Sequence, residues 1–283
     1  MALLPKNEPR AVEPDKNIKM FLYGEPYSGK TTFASKFPKP VILSSDGNYK
    51  LLTTPAITLK STTEWLAALE ELEQGKDDFE TIIIDVVDQF FDVYREEFLQ
   101  AKGKEHETDL NMKGWEMVRK PFKNLIYRFA NIPNKNIIFI GHSKDKTLKD
   151  RFGLETNVTT YVLPDDLARY INGLVTMTLH TAVEKTTETD DNGFKVFVPK
   201  HMLYLNAIDE SIKGGARILF SKDKINLDYD EFMEVLKESI TNPITSKPVD
   251  KAKVTEKKPL KPLKAPAKAS EGIAKPKEGA SVW

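Results

Sequence analysis

The 283-residue chain contains no cysteine, which removes disulfides, thiolate metal centres and thiol nucleophiles together. Histidine is scarce too, with four scattered copies, so a zinc site is not expected. No run of 18 apolar residues occurs, and the start, MALLPKNEPRAVEPDK, lacks the basic beginning and long apolar stretch of a secretory signal. The expectation is a soluble protein of a reducing, cytoplasmic compartment with no membrane partner. A formal net charge of zero conceals an asymmetry. Between Pro243 and Trp283 ten lysines face four acids, a net +6, which leaves −6 for the remainder. That segment also holds six prolines and six alanines and almost nothing that could form a core. It is expected to be a disordered basic tail, acting as a linker or as an arm attracted to nucleic acid or an acidic partner.

What remains is organised as one domain, residues 18–242, behind a loose arm at 1–17. Ile18 to Tyr23 reads as a buried strand, Thr31 to Phe37 as a helix, and Val41 to Leu43 as a second strand. The spacing Ser61-Thr62-Thr63-Glu64 predicts a capped helix closed by Gly75, and Thr81 to Val87 is apolar on both faces, as a central parallel strand would be. Helices are predicted over 89–102 and 113–131, and a strand over 137–140 that ends before Gly141-His142-Ser143. Apolar strands separated by helices imply an α/β fold with a mainly parallel sheet. Farther on, Leu174 to Val183 alternates, a turn signal lies at 190–193, and two further strand-like runs predict antiparallel C-terminal strands. Asp228 to Glu231 opens a last helix.

Chemistry concentrates in the stretch GEPYSGKTT. Gly24, four residues, then Gly29-Lys30-Thr31 form the phosphate-loop pattern, set between a strand and a helix as its mechanism requires. Backbone N–H groups of Gly24, Glu25, Pro26-bounded Tyr27, Ser28, Gly29, Lys30, Thr31 and Thr32 would surround a phosphate chain, Pro26 itself donating none. Lys30 would meet the β and γ phosphates and the Thr31 hydroxyl would ligate Mg²⁺. Asp85, ending an apolar strand, suits the second Mg²⁺ position, with capping of the next helix as its structural alternative. Asp88 reads as a helix cap, its other reading being a place in the outer shell of the metal. Hydrolysis needs a further group to position water, and Asp46 and His142 follow other strands where ligands collect, with an ordinary loop residue as the alternative for each. His142 would suit a γ-phosphate sensor.

The ordered set GEPYSGKTT, SSDGN, TIIIDVVD and IIFIGHSKDK resembles the phage-encoded RecA-like core ATPases, AAA-type NTP-binding proteins of phage recombination cassettes, over about residues 16–225. The resemblance implies a RecA-like P-loop NTPase core, ATP and Mg²⁺ as cofactors, and ATPase chemistry in the host-cell cytoplasm. In that family a glutamate activates water where this chain has Asp46, one methylene shorter, a departure from the family pattern that bears on hydrolysis rather than on nucleotide binding. His142 falls on the sensor position. The family also implies single-stranded DNA as partner and a homo-oligomer whose ATP site is completed by a neighbour's cation. Lys144, Lys146, Lys149 and Arg151 lie where DNA contacts would fall, with a solvated hairpin as the alternative; Lys213 and Arg217 are candidates for the trans-acting finger, with a charged Gly-Gly turn as theirs. The resulting expectation is a recombination protein that binds single strands and promotes annealing. Two alternatives stand beside it: a replication-associated helicase-loading or motor ATPase, and a nucleotide-gated interaction module with little hydrolysis whose tail recruits a single-strand binding protein.

Overall fold

The computed structural model describes residues 7, 13, 14, 16–110, 114–149, 153, 155–189, 194–206 and 212–242. The basic tail, the turn at 190–193 and Arg151 lie outside them. The order of elements is β1 (Lys19–Gly24), α1 (Lys30–Ala34), β2 (Pro40–Ser44), β3 (Ala56–Thr58), α2 (Thr62–Glu73), β4 (Thr81–Asp85) and α3 (Val87–Ala101). There follow α4 (Gly114–Ala130), β5 (Asn136–Lys149), β6 (Glu155–Tyr161), α5 (Asp165–Leu174), β7 (Met177–Thr189), β8 (Lys195–Tyr204), β9 (Gly215–Ala216), β10 (Lys224–Asn226) and α6 (Tyr229–Thr241).

The sheet runs β10-β8-β7-β1-β5-β4-β2-β3, and every pairing from β7 to β3 is parallel. Antiparallel pairing enters where β8 meets β7 and β10, and where β6 returns along β5. The fold is α/β with a mostly parallel mixed sheet. Central strands are apolar on both sides because both sides are covered. Phe21, Tyr23, Ile82, Ile84, Ile137 and Phe139 pack with α2–α5, whereas Met20, Leu22, Ile83, Ile138 and Ile140 pack with α1 and α6.

Local sequence rules explain several boundaries. Ser61 Oγ accepts from Glu64 N (3.3 Å) and Asp228 Oδ1 from Glu231 N (2.9 Å), capping α2 and α6. Other boundaries differ from the sequence reading. Helix α1 stops at Ala34, three residues short, although Phe37 still reaches the core against Phe232 and Tyr229. Strand β4 ends at Asp85 rather than Val87. The larger departure is β5, which does not end near 140 but continues to Lys149. From Ser143 onward it leaves the parallel sheet and pairs with β6, so its side chains turn polar while its backbone remains strand. Likewise β7 and β8 extend past β1 as a long hairpin, with β8 running through Pro199.

Candidate functional site

The loop after β1 lies at the carboxyl edge of the parallel strands, between two projecting hairpins. Its first glycine, Gly24, pairs with His142 of β5 on one side and Thr181 of β7 on the other. A Cβ at Gly24 would lie 2.2 Å from Thr181 Oγ1 and 2.4 Å from the Thr181 carbonyl, so glycine is a steric requirement there. Gly29 adopts φ 91°, and a Cβ on it would lie 2.6 Å from Leu227 Cδ2. Tyr27 also takes a left-handed φ of 64° and is 96% exposed. Because Gly29 caps α1 without a side chain, the first-turn N–H groups of the helix keep no side-chain acceptor.

Lys30 is 6% exposed and folds back over the loop, donating to the carbonyls of Gly24 (3.0 Å) and Glu25 (2.6 Å). Burial pulls its pKa down to about 8 against the opposing pull of Asp85, Asp88 and Glu25. Thr31 Oγ1 donates to Asp85 Oδ2 at 2.9 Å, joining the helix start to the end of β4. Burial pushes the Asp85 carboxyl up to about 6, while Thr31, Lys30 and His142 act in the other direction. A hydroxyl and a carboxylate held together in this way suit Mg²⁺, which keeps several waters and takes its remaining oxygens from phosphates. Among the described residues no group of three or more His, Asp or Glu could hold a metal by itself. Thr31 and Asp85 would hold the ion, and its chemistry would be charge neutralisation of the phosphates.

Asp88 is 6% exposed and does not cap its helix; the cap position is Val86, with no side-chain bond. Asp88 instead reaches β5, where Oδ1 accepts from the His142 backbone N–H (3.0 Å) and Oδ2 pairs with His142 Nδ1 (2.7 Å). That bond raises the His142 pKa above its ordinary value. Asp46 is exposed, and its carboxylate is turned into its own loop: Oδ1 accepts from Ser44 Oγ (2.9 Å) and Asn48 N (3.0 Å), Oδ2 from Asn48 Nδ2 (2.7 Å). It still acts electrostatically on Asp85. The structure thus gathers Lys30, Thr31, Asp85, Asp88 and His142 into one charged cluster with Asp46 at its margin.

The remaining candidates lie elsewhere. Arg217 donates to the carbonyls of Gly173 (2.9 Å) and Val175 (3.2 Å), bracing the α5–β7 turn of its own chain. The Lys213 carbonyl accepts the hydroxyls of Tyr23 and Tyr161. On the β5–β6 hairpin Lys144 bonds the Val162 carbonyl (3.2 Å), Lys146 faces Asp165 (3.5 Å) and Lys149 pairs with Glu155 (2.8 Å). Sequence reasoning missed the other wall of the loop. Ser28 Oγ bonds Thr181 Oγ1 (2.7 Å), and His201 Nδ1 lies 3.2 Å from the Ser28 carbonyl. No local signal marks either residue, because the contacts span 153 and 173 positions.

A phosphate loop, its lysine, a hydroxyl–carboxylate pair and a strand order that delivers them to one edge define a P-loop nucleotide-binding protein. The family described as AAA domain matches residues 16–217, and the chain belongs to it. Membership implies nucleotide binding, typically with Mg²⁺. No curated protein matches. Similar solved structures include the flagellar accessory protein FlaH from Methanocaldococcus jannaschii, at 14% identity and TM-score 0.35, covering 67% of this chain and 77% of that one. A prototypical ATPase from the type III secretion system of pathogenic bacteria is 12% identical with TM-score 0.39, covering 58% and 51%. Among the described residues no helix is long and apolar enough to cross a membrane.

Proposed function

We propose that this AAA-domain protein binds Mg²⁺·ATP and uses it to control binding to single-stranded DNA, promoting annealing in phage recombination as a homo-oligomer. The observation that supports the reading best is the placement of the phosphate loop between two hairpins that extend past it. Gly24 pairs with the root of each, so a rearrangement of the loop around phosphate is felt by both. The β7–β8 hairpin carries the exposed rings of Phe197 (75%) and Phe194 (70%), with Lys195 between them in sequence and Lys185 and Glu184 on the facing strand. Exposed aromatics among cations are the means by which single strands are held without base-pair readout. In this reading Lys144, Lys146, Lys149 and Arg151 would contact DNA, Lys146 and Lys149 exchanging the carboxylates of Asp165 and Glu155 for phosphates, the tail would add salt-sensitive attraction to DNA or a single-strand binding protein, and Lys213 or Arg217 would serve a neighbouring subunit.

The test is a titration of fluorescent single-stranded DNA with ATP, ADP or no nucleotide, alongside steady-state ATPase, for the wild type and Lys30→Ala. Nucleotide-dependent DNA affinity that Lys30→Ala abolishes is expected. DNA affinity indifferent to nucleotide would overturn the reading. The Asp46 geometry favours one alternative, a nucleotide-gated module with little hydrolysis, because the carboxylate is committed to Ser44 and Asn48. Tight ATP binding without DNA-stimulated turnover would select it.

A further inference from the structure

We propose that Asp88 is a positioning residue of the nucleotide site: it fixes the His142 ring with Nε2 toward the terminal phosphate, so that the site distinguishes a nucleoside triphosphate from a diphosphate. The proposal rests on the nucleotide-binding reading above and adds to it a role for Asp88.

With Asp88 Oδ2 accepting from Nδ1, the proton on that nitrogen is held in place and the ring keeps Nε2 for another partner. The second bond, from the His142 backbone N–H, holds the strand at the point where the ring leaves it. Two attachments to one buried carboxylate fix both the position of His142 and its rotation. Gly141 makes this approach possible, since a Cβ there would lie 2.9 Å from the Phe21 ring and 3.5 Å from Asp88 Oδ1. With Nδ1 engaged, Nε2 makes no hydrogen bond among the described residues. The other charged groups acting on the ring are Lys30 and Asp85, the phosphate lysine and the metal carboxylate. His142 also pairs with Gly24, the first glycine of the loop, which sets the residue beside the phosphate loop.

Asp88 is the second residue of α3, one past the position that follows the Val86 cap, and its carboxylate reaches across to β5. The first turn of α3 is left without a side-chain cap, and the carboxylate spends both oxygens on a residue 54 positions away. A buried carboxylate that fixes an imidazole by two bonds is the pattern of a ligand-reading group supported from behind.

The full-length protein is titrated calorimetrically with Mg²⁺·ADP and with a non-hydrolysable Mg²⁺·ATP analogue, for the wild type, Asp88→Asn and Lys30→Ala. The wild type is expected to prefer the triphosphate, and Asp88→Asn to lose about tenfold of that affinity while ADP affinity changes by less than about twofold. Equal loss for both nucleotides, or an unchanged preference, overturns the positioning role. On the wild type itself, ¹⁵N-histidine spectra should show His142 protonated at Nδ1, with Nε2 shifting on addition of the triphosphate analogue and not of ADP; no response overturns the proposal even if Asp88→Asn fails to fold. If Lys30→Ala binds both nucleotides as the wild type does, the nucleotide site itself is misassigned, an outcome separate from the loss of discrimination.

Discussion

The two walls of the phosphate loop differ in kind. Toward β4 and β5 it meets Asp85, Asp88 and His142, buried or half-buried and electrostatically linked. Toward β7, β8 and β10 it meets the Thr181 hydroxyl, the His201 ring and the Leu227 side chain. One wall carries charge that a phosphate and a cation would compensate; the other sets the shape of the backbone that receives them. Charge inside a protein is costly until paired, so the first wall should respond to ligand and pH, and the second to steric change.

The largest effect is expected from the shape wall. Gly24→Ala drives a methyl group into the Thr181 backbone, so β1 and β7 must separate, and the loss of stability should be about 4 kcal/mol, read by denaturant unfolding. A loss below about 1 kcal/mol would mean that the two strands are less closely joined than their register indicates. The charge wall should respond with the opposite sign. Asp85 has its folded pKa raised from 3.8 to about 6, so the folded protein binds a proton more tightly than the unfolded chain, and stability falls as pH rises through that window. Without metal or nucleotide, Asp85→Asn should therefore stabilise the protein by up to about 3 kcal/mol above pH 6 and by almost nothing below pH 4, while weakening Mg²⁺-dependent nucleotide binding. A pH-independent difference would remove the case for a strained carboxylate. The smallest effect belongs to Thr181→Val, which keeps the shape and deletes the bond to Ser28 at about 1 kcal/mol. It should weaken ADP and the ATP analogue equally, by a few-fold in calorimetry, in contrast to the selective loss expected at Asp88.

The same division explains what could be read from the chain. The loop and Asp85 were legible because their signals are local: glycine spacing between an apolar strand and a helix, and a carboxylate closing four apolar positions. Strands β1, β2, β4 and the first half of β5 were legible from their apolar runs, whereas β3 was not, and β7 was read only as one of an antiparallel set although it pairs with β1 in parallel. The extension of β5 was not legible, because its distal half pairs only with β6 and alternates polar residues, like a loop in sequence. Helix α5 also went unread. Asp88 was misread because an acid in the first turn of a helix has a satisfactory local explanation, and only the fold brings His142 within 2.7 Å of it.

By itself, then, the sequence determined that the chain carries a phosphate loop, and it pointed to Lys30 for the phosphates and to Thr31 and Asp85 for a metal, since strand, loop and helix are neighbours along the backbone. The tertiary structure decided how that loop is held, by Thr181 and His201 on one side and by the Asp88–His142 pair on the other. Those partners lie 54 to 173 residues apart, and no periodicity or spacing encodes a hydrogen bond between them; the order of strands in the sheet does.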